Sequence, residues 1–342
     1  YNAVIARIKI LANLDIAERR LPQDGKISFT SKSGVSVDFR VSILPTSLGE
    51  RVVIRVLNSG SLAINVDALG FNEKQKSDFL DAIEAPQGLV LVTGPTGSGK
   101  STTLYGAINY LNKPDVNILT AEDPVEYTID GISQVQVRED IGLTFASALR
   151  SFLRQDPEII LVGEIRDTET ADIATKAALT GHLVLSTLHT NSAIGAINRL
   201  VNMGLPSYLV SSALTLVVAQ RLVRVNCKNC VAEVESHLLS SEEKYINMPE
   251  LADTKIMQGK GCNACAFTGY SGRRAVHEVL KITPKIQKAI IDKIGEGEIA
   301  NLAFEDGFIP MAKAAIQHIK SGELSLEEYF RAIPQYSEEE SE

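Results

Sequence analysis

The sequence predicts an α/β fold in which a mostly parallel sheet is covered by helices on both faces. Four short apolar runs support this prediction, because helix-like segments separate them and continuous apolar strands are typical of sheets buried on both sides. A glycine-rich loop directly after the first run is the second observation. The runs occupy residues 89–92, 116–120, 159–162 and 183–186.

Composition narrows the class of protein. The 342 residues suffice for two or three domains, and a hydrophobic content of 44% excludes global disorder. A net charge of -8 argues against a protein that coats nucleic acid, since phosphate backbones bind Lys and Arg. No apolar run reaches the ~18 residues of a membrane-spanning helix, so we expect no transmembrane segment. The chain begins at Tyr1 without a signal-peptide pattern, and we expect a piece of a longer protein.

Residues 1–85 predict a small α+β domain. A helical period in residues 1–20 indicates an amphipathic helix, and apolar residues then alternate with polar ones as in a half-buried strand. Residues 52–57 form a second strand, and residues 73–84 a helix that closes the domain. The helical positions are Val4, Ile5, Ile8, Leu11 and Ile16, and the alternating ones are Val35, Val37, Phe39 and Val41.

The glycine-rich loop has the pattern of a phosphate-binding loop, with a strand before it and a helix over 100–112 after it. Its glycines let backbone N–H groups surround phosphates, while Lys100 reaches the β- and γ-phosphates and Ser101 binds Mg²⁺. An ordinary glycine turn is the alternative, and the flanking strand and helix argue against it. The expected ATP-binding residues are Gly94, Pro95, Thr96, Gly97, Ser98, Gly99, Lys100, Ser101 and Thr102.

Two glutamates follow predicted strands at the edge where open α/β sheets bind ligands. Glu164 occupies the position of a carboxylate that holds the Mg²⁺ shell, and Glu122 ends another strand and is a candidate to polarise the attacking water. Helix capping or loop solvation is the alternative for both, and spacing alone leaves open which of them is the base. His189 follows the fourth run and is a candidate γ-phosphate sensor, whereas His182 opens that strand at its opposite end.

Four arginines are further candidates. Residues 144–154 predict an amphipathic helix that places Arg150 and Arg154 together, four residues apart. Arg40 and Arg55 lie on the two strands of the small domain, where a charged side chain points towards water or a partner. A solvated basic edge is the ordinary interpretation, and spacing alone does not bring any of these arginines to a nucleotide.

The four cysteines form two pairs with the spacing of a tetrahedral Zn²⁺ site. A closed set of four ligands predicts structural rather than catalytic zinc, in a segment over residues 225–275 and in a reducing cytoplasm. Four unrelated reduced cysteines or a catalytic dithiol are the alternatives. Residues 276–334 are expected to be helical, and residues 335–342 to be a disordered acidic tail. The proposed zinc ligands are Cys227, Cys230, Cys262 and Cys265.

Together these motifs resemble the GspE/PilB family of secretion ATPases, which drive type II secretion and type IV pilus assembly. The resemblance covers essentially the whole chain. Residues 120–127 look like the family's Asp box, residues 162–167 like its Walker B motif, and residues 180–191 like its His box. The double Cys-x-x-Cys matches the metal module of the assembly and secretion branch.

The resemblance implies a RecA-like P-loop core over residues 86–224, preceded by a PAS-like domain over residues 1–85, in a homohexamer with ATP between the two domains. It implies that Arg40 and Arg55 approach the phosphates, with Arg150 and Arg154 at domain or subunit contacts. Glu122 becomes the favoured general base and Glu164 the carboxylate of the Mg²⁺ site. One departure is that nothing matches the family's further N-terminal domain, which docks on a membrane-bound partner.

The expected function is therefore hydrolysis of ATP to power assembly of a type IV pilus or a type II secretion pseudopilus. The protein would be cytoplasmic and held at the inner membrane through platform and cytoplasmic-face proteins, without nucleic acid. The residues alone leave two alternative functions open. One is a nucleic-acid translocase on a RecA-like core, and the other is a nucleotide-gated scaffold without useful turnover.

Overall fold

The computed structural model describes residues 1–30, 36–57, 65–234, 248–252 and 254–334. The chain divides into two compact units, Tyr1–Ala63 with Glu126–Thr128 and Ile64–Val125 with Ile129–Glu342. The first unit therefore ends earlier than the boundary near residue 85 that we expected from the sequence. Val35 and the acidic tail over 335–342 lie outside the described residues.

The first unit has an α+β composition. Helix α1 (Asn2–Leu11) is followed by three antiparallel strands, β1 (Gln23–Thr30), β2 (Ser36–Thr46) and β3 (Gly49–Leu57), in the order β1-β2-β3. The helix and the last two strands were predicted, although the helix is shorter than residues 1–20, and β1 was missed. Its small core consists of Ala12, Val41 and Ile43, with Ile8, Leu14, Ile27 and Val52 packed against them.

The second unit is built on a seven-stranded sheet. Its strands are β4 (Gly88–Thr93), β5 (Ile118–Glu122), β6 (Ser133–Gln136), β7 (Ile159–Val162), β8 (Leu183–Leu188), β9 (Leu214–Asn226) and β12 (Tyr270–Lys281). Their order is β12-β9-β4-β8-β7-β5-β6, and every neighbouring pair is parallel except β12 and β9, which are antiparallel. This confirms the mostly parallel sheet, and the four apolar runs fall on β4, β5, β7 and β8, although β5 begins at Ile118 rather than at Val116.

Helices cover the sheet and continue to the end of the described chain. Within the described residues, no helix combines the length and apolar character needed to cross a membrane. The helices are α2 (Glu73–Ile83), α3 (Lys100–Leu111), α4 (Phe145–Phe152), α5 (Thr168–Leu179), α6 (Ala193–Asn202), α7 (Ser207–Ala213), α8 (Pro284–Ile291), α9 (Glu296–Glu305), α10 (Met311–Lys320) and α11 (Leu326–Ala332).

Two boundaries differ from the sequence prediction for reasons of packing. Helix α2 belongs to the second unit because it buries Phe79 and Ile83 and packs on β4, β9 and β12. The cysteine segment begins and ends inside the main sheet, since β9 runs to Asn226 and β12 starts at Tyr270. Between these strands, β10 (Val231–Glu233) and β11 (Met257–Gly259) pair as a separate antiparallel ribbon.

Candidate active site

The glycine loop joins the end of β4 to the start of α3, as the sequence predicted. Gly94, Gly97 and Gly99 have φ values of 141°, 80° and 89°, which side-chain-bearing residues rarely adopt. A Cβ atom on Gly94 would lie 2.4 Å from the carbonyl oxygen of Gln220. The loop therefore requires glycine both for its backbone angles and for close packing against β9.

The side chain of Lys100 folds back over its own loop. Its Nζ donates hydrogen bonds to the carbonyl oxygens of Gly94 at 2.9 Å and Pro95 at 3.1 Å. Burial lowers the pKa of Lys100, and the negative charge of Glu164 partly opposes this shift. Ser101 and Thr102 are exposed in the first turn of α3. The helix N-terminus thus presents an ammonium group, two hydroxyls and backbone N–H groups, which suit a phosphate chain.

A buried glutamine from β9 braces this loop and was missed from the sequence. Gln220 is 2% exposed; its Nε2 donates to the carbonyl of Ser98 at 2.7 Å, and its Oε1 accepts from the Thr103 hydroxyl at 2.7 Å. It therefore fixes the loop to the second turn of α3. A glutamine at the end of the apolar run of β9 is the signal that points to it.

Glu164 follows β7 and is the carboxylate that lies electrostatically close to Lys100. Arg166 donates to its Oε1 at 2.5 Å, and His189 Nε2 lies 3.3 Å from its Oε2. Burial pushes the pKa of Glu164 upward, but Arg166 and His189 outweigh burial and lower it overall. Arg166 also lies 3.4 Å from Asp123. The structure thus brings Lys100, Glu164 and His189 together, and adds Arg166 to the expected site.

Glu122 has a different environment from the one expected of a general base. Its side chain is 5% exposed, and three donors occupy the carboxylate. Tyr105 donates to Oε2, while Thr120 and Gln134 donate to Oε1 at 2.5 Å and 3.1 Å. The carboxylate joins α3, β5 and β6 from inside, and its hydrogen-bonding capacity is largely used.

The loop after β8 is tied to the strand that enters the phosphate loop. Thr190 donates its backbone N–H to the Thr93 hydroxyl at 2.8 Å, and the two hydroxyls lie 2.7 Å apart. This loop carries His189, which is half exposed. His182 precedes β8 at the opposite edge of the sheet, as expected, and its Nδ1 lies 3.1 Å from the carbonyl oxygen of Ala177.

The remaining arginines lie on surfaces. Arg150 forms an ion pair with Glu169, and Arg154 donates to the carbonyl oxygen of Arg150 at 2.7 Å. In the first unit, Arg40 on β2 pairs directly with Arg55 on β3.

A third cation extends this pair. Lys26 on β1 pairs with Arg40 on its other side and forms an ion pair with Asp38 at 2.6 Å. Among the described residues, no carboxylate contacts Arg40 or Arg55. Like charges directly opposite each other in a sheet are unfavourable, so this cationic row is suited to an anion.

The four cysteines form one cluster, with Sγ atoms all within 4.8 Å of one another. Three of the Sγ–Sγ distances are 3.8–3.9 Å, close to the ~3.8 Å edge of a tetrahedron with Zn–S bonds of ~2.3 Å. The N–H of Cys262 lowers the pKa of Cys265 to about 6; burial opposes this and the N–H of Gly269 assists it. The donor set and its spacing therefore fit a zinc ion.

A model of the family described as "Type II/IV secretion system protein" matches residues 1–331. This chain belongs to the type II/IV secretion system protein family. The resemblance seen in the motifs is therefore confirmed. The matched range includes the glycine loop, the two glutamate motifs and the four cysteines.

Two relatives are named for pilus assembly and for type II secretion. The type IV pilus assembly ATPase PilB of Myxococcus xanthus is 48% identical over 331 residues, covering 96% of this chain and 58% of PilB. The putative type II secretion system protein E of Escherichia coli is 46% identical over 338 residues, covering 99% of this chain and 68% of that protein. The chain thus spans less than two thirds of the length of the PilB relative.

Solved structures support the fold of this secretion-system protein. The pilus retraction motor PilT with bound ADP has a TM-score of 0.67 and 29% identity, covering 92% of this chain and 78% of that one. The Legionella pneumophila ATPase DotB has a TM-score of 0.65 and 24% identity, covering 91% of this chain and 77% of that one. The α/β fold with its mixed, mostly parallel sheet is therefore one that secretion ATPases share.

Proposed function

We propose that this chain is the ATP-hydrolysing part of a ring-shaped motor that powers assembly of a type IV pilus or a type II secretion pseudopilus. The observation that carries the proposal is the convergence of Lys100, Glu164 and His189 beside the glycine loop. ATP-driven assembly is also the role named for the PilB relative. The core is RecA-like in this proposal, and the first unit is PAS-like.

ATP binds with its phosphates in the loop over 94–102. Lys100 exchanges its two carbonyl acceptors for phosphate oxygens, and the exposed Ser101 together with Glu164 would hold Mg²⁺. The bound metal supplies neutralisation of the phosphate charge. Glu164 orients the attacking water, while Arg166 and His189 keep its carboxylate ionised and fixed.

In this proposal Glu122 is a structural residue, whereas the family resemblance favoured it as the general base. Its buried carboxylate already accepts hydrogen bonds from Tyr105, Thr120 and Gln134. A general base must come within hydrogen-bond reach of the water. Three donors leave only about one of the roughly four lone-pair sites of this buried carboxylate for a water. We therefore assign Glu122 to holding α3 against the sheet and Glu164 to the water.

The cationic row of the first unit supplies the phosphate clamp. Arg40 and Arg55 neutralise the phosphates when ATP is bound, and hydrolysis weakens this attraction. Release of a clamp after loss of the γ-phosphate is a recurring way of converting hydrolysis into motion. In a homohexamer, Arg150 and Arg154 lie at contacts between domains or subunits.

Zinc holds the cysteine segment as a structural ion in this proposal, bound by the thiolates of the four-cysteine cluster. The ring works in the cytoplasm against inner-membrane platform and cytoplasmic-face proteins, without nucleic acid. A net charge of -8 supports the exclusion of nucleic acid.

Phosphate release from ATP tests the proposal and separates an enzyme from a nucleotide-gated scaffold. The assembled chain is expected to turn over ATP, and Arg40→Ala or Arg55→Ala to lower kcat/KM by roughly 10-fold or more, as loss of a charged phosphate contact does. Arg51→Ala is the matched control, because Arg51 lies exposed on β3, on the same face as Arg55. ATP binding without phosphate release in the wild type would favour the scaffold and overturn the proposal.

A further inference from the structure

A buried glutamate on β12 contacts the starts of two helices. Glu278 is 2% exposed, and its Oε1 accepts the N–H of Ala193, the first residue of α6, at 2.6 Å. Its Oε2 accepts the N–H of Met311, the first residue of α10, at 3.1 Å. Burial raises the pKa of Glu278, and the two N–H groups oppose that shift. Within the described parts of the chain, no cation pairs with it.

The two helix N-termini take the place of a cation. A buried carboxylate without a partner is costly, whereas the start of a helix offers unpaired N–H groups and a partial positive charge. Both α6 and α10 have ten residues, so each presents a developed dipole. The side chain is therefore a shared acceptor that fixes two helices to one strand.

One of these helices begins where the nucleotide-facing loop after β8 ends. This loop carries His189, and the N–H and hydroxyl of Thr190 bind the hydroxyl of Thr93. At the following residue of the loop, Asn191 Oδ1 accepts a hydrogen bond from Arg221 at 2.9 Å. Glu278 then holds Ala193, so the loop is anchored at its start, middle and end.

The anchor has a direct bearing on Glu164. His189 lies 3.3 Å from its Oε2, which is a long contact that a small shift of the loop would break. The other helix held by Glu278, α10, belongs to the C-terminal helical region. A single carboxylate therefore links the loop beside Glu164 to that region.

We propose that Glu278 is a positioning residue, which holds the loop over 189–193 so that His189 stays against Glu164. This inference rests on the proposed ATPase function. Glu278 touches neither the phosphate loop nor Lys100, so its loss affects the chemical step and leaves nucleotide binding nearly unchanged.

The test compares Glu278→Gln with wild type in ATP turnover and ATP binding. Gln keeps the size of the side chain but replaces one acceptor oxygen by an NH₂ group, which would face an N–H donor. We expect kcat to fall by roughly 10- to 100-fold, the scale of an ångström-sized misplacement, while KM for ATP changes less than ~3-fold. Glu278→Asp keeps the carboxylate and is expected to recover part of kcat.

Glu328→Gln is the matched control. Glu328 is also fully buried, on α11, but it pairs with Arg224 and Arg331. Its substitution is expected to lower the free energy of unfolding and to leave kcat within ~2-fold of wild type. An equal fall of kcat in both variants would overturn the inference, because general destabilisation would then explain it. An unchanged kcat in Glu278→Gln would overturn it as well.

Hydrogen exchange separates failure of this inference from failure of the proposed function. In Glu278→Gln, the amides of Ala193 and Met311 are expected to exchange at least ~10-fold faster, whether or not the wild type hydrolyses ATP. Unchanged exchange at both amides would refute the anchor even in an inactive protein. Absent turnover in the wild type, with faster exchange in the variant, would refute the ATPase proposal alone and leave the anchor supported.

Discussion

The ammonium group of Lys100 lies 2.9 Å from the carbonyl oxygen of Gly94, at the beginning of the loop that Lys100 closes. The ammonium group thus donates hydrogen bonds to backbone carbonyl oxygens, and we expect phosphate oxygens to replace these acceptors when a nucleotide binds. Since burial lowers the pKa of Lys100 and Glu164 partly restores it, the site favours a further negative charge. We expect a triphosphate to satisfy both the ammonium group and the N–H groups of the loop.

The two glutamates differ in what their loss does to turnover. Glu164→Gln is expected to lower kcat by at least ~100-fold with little change in ATP affinity, because Glu164 faces Lys100 and water. Glu122→Gln is expected to lower the free energy of unfolding by about 1–3 kcal/mol, since an NH₂ group meets donors in a buried network. Phosphate release and chemical denaturation measure the two effects. A 100-fold loss of kcat in a stably folded Glu122→Gln variant would contradict this assignment and identify Glu122 as the general base.

Gln220 is expected to determine how well the phosphate loop is held. Gln220→Leu removes the hydrogen bonds to the Ser98 carbonyl and the Thr103 hydroxyl. The free energy that holds the loop in place then falls by about 1 kcal/mol, and we expect ATP to bind roughly 5- to 10-fold more weakly. Gln75→Leu is the control, because Gln75 is also buried and bonds the His277 carbonyl instead. Equal ATP affinity in wild type and Gln220→Leu, measured by calorimetry, would contradict this role.

The cysteine cluster is expected to bind one zinc ion per chain. Cys262→Ser removes a ligand and should lose most of the metal in elemental analysis, because thiolate is a far stronger zinc ligand than a hydroxyl. Amides of β10 and β11 should exchange faster in the variant, while ATP binding stays close to wild type. Gently purified wild-type protein without zinc would contradict the site.

Acid is expected to destabilise the second unit through His277. This ring is fully buried against Phe71 and has no hydrogen-bond partner within the described ranges, and burial lowers its pKa from 6.5 to about 3. His318 contributes to the same shift. As the pH falls, His277 is protonated in the unfolded chain near pH ~6.5, well before the folded chain accepts a proton at this ring. The contribution of the neutral ring to the free energy of unfolding is therefore complete above pH ~6.5 and is lost as the pH falls towards ~3.

Between pH 7.5 and pH 5 this proton alone costs about 2 kcal/mol of the free energy of unfolding. His277→Phe preserves the aromatic packing and removes the titrating group. In denaturant titrations, its free energy of unfolding is expected to fall by about 2 kcal/mol less than that of wild type between pH 7.5 and pH 5. His182→Gln is the control, since His182 is only half-buried and its Nδ1 lies 3.1 Å from the carbonyl oxygen of Ala177, away from His277 in the sequence. Identical pH profiles for wild type and His277→Phe would contradict the burial of a neutral ring.

Local patterns predicted the elements that consist of neighbouring residues. The apolar runs gave β4, β5, β7 and β8, and the glycine loop placed Lys100 at the start of α3. Cysteine spacing was sufficient to predict the cluster, because each pair forms one turn of backbone.

Residues whose role depends on distant partners escaped prediction. Gln220 contacts a loop more than a hundred positions away, and Glu278 joins two helices from different parts of the chain. The environment of Glu122 depends on Tyr105 and Gln134, which no spacing rule connects to it. The end of the first unit was misplaced because the amphipathic pattern of α2 does not reveal which sheet it covers.

Equilibrium binding of ATP in the presence of Mg²⁺, compared between wild type and Lys100→Ala, tests the phosphate site most directly. We expect wild type to bind ATP, and Lys100→Ala to bind it roughly 10- to 100-fold more weakly, the scale of a lost charge-assisted contact. Absence of ATP binding in folded wild-type protein, or equal affinity in the two proteins, would contradict the nucleotide site at Gly94–Ser101.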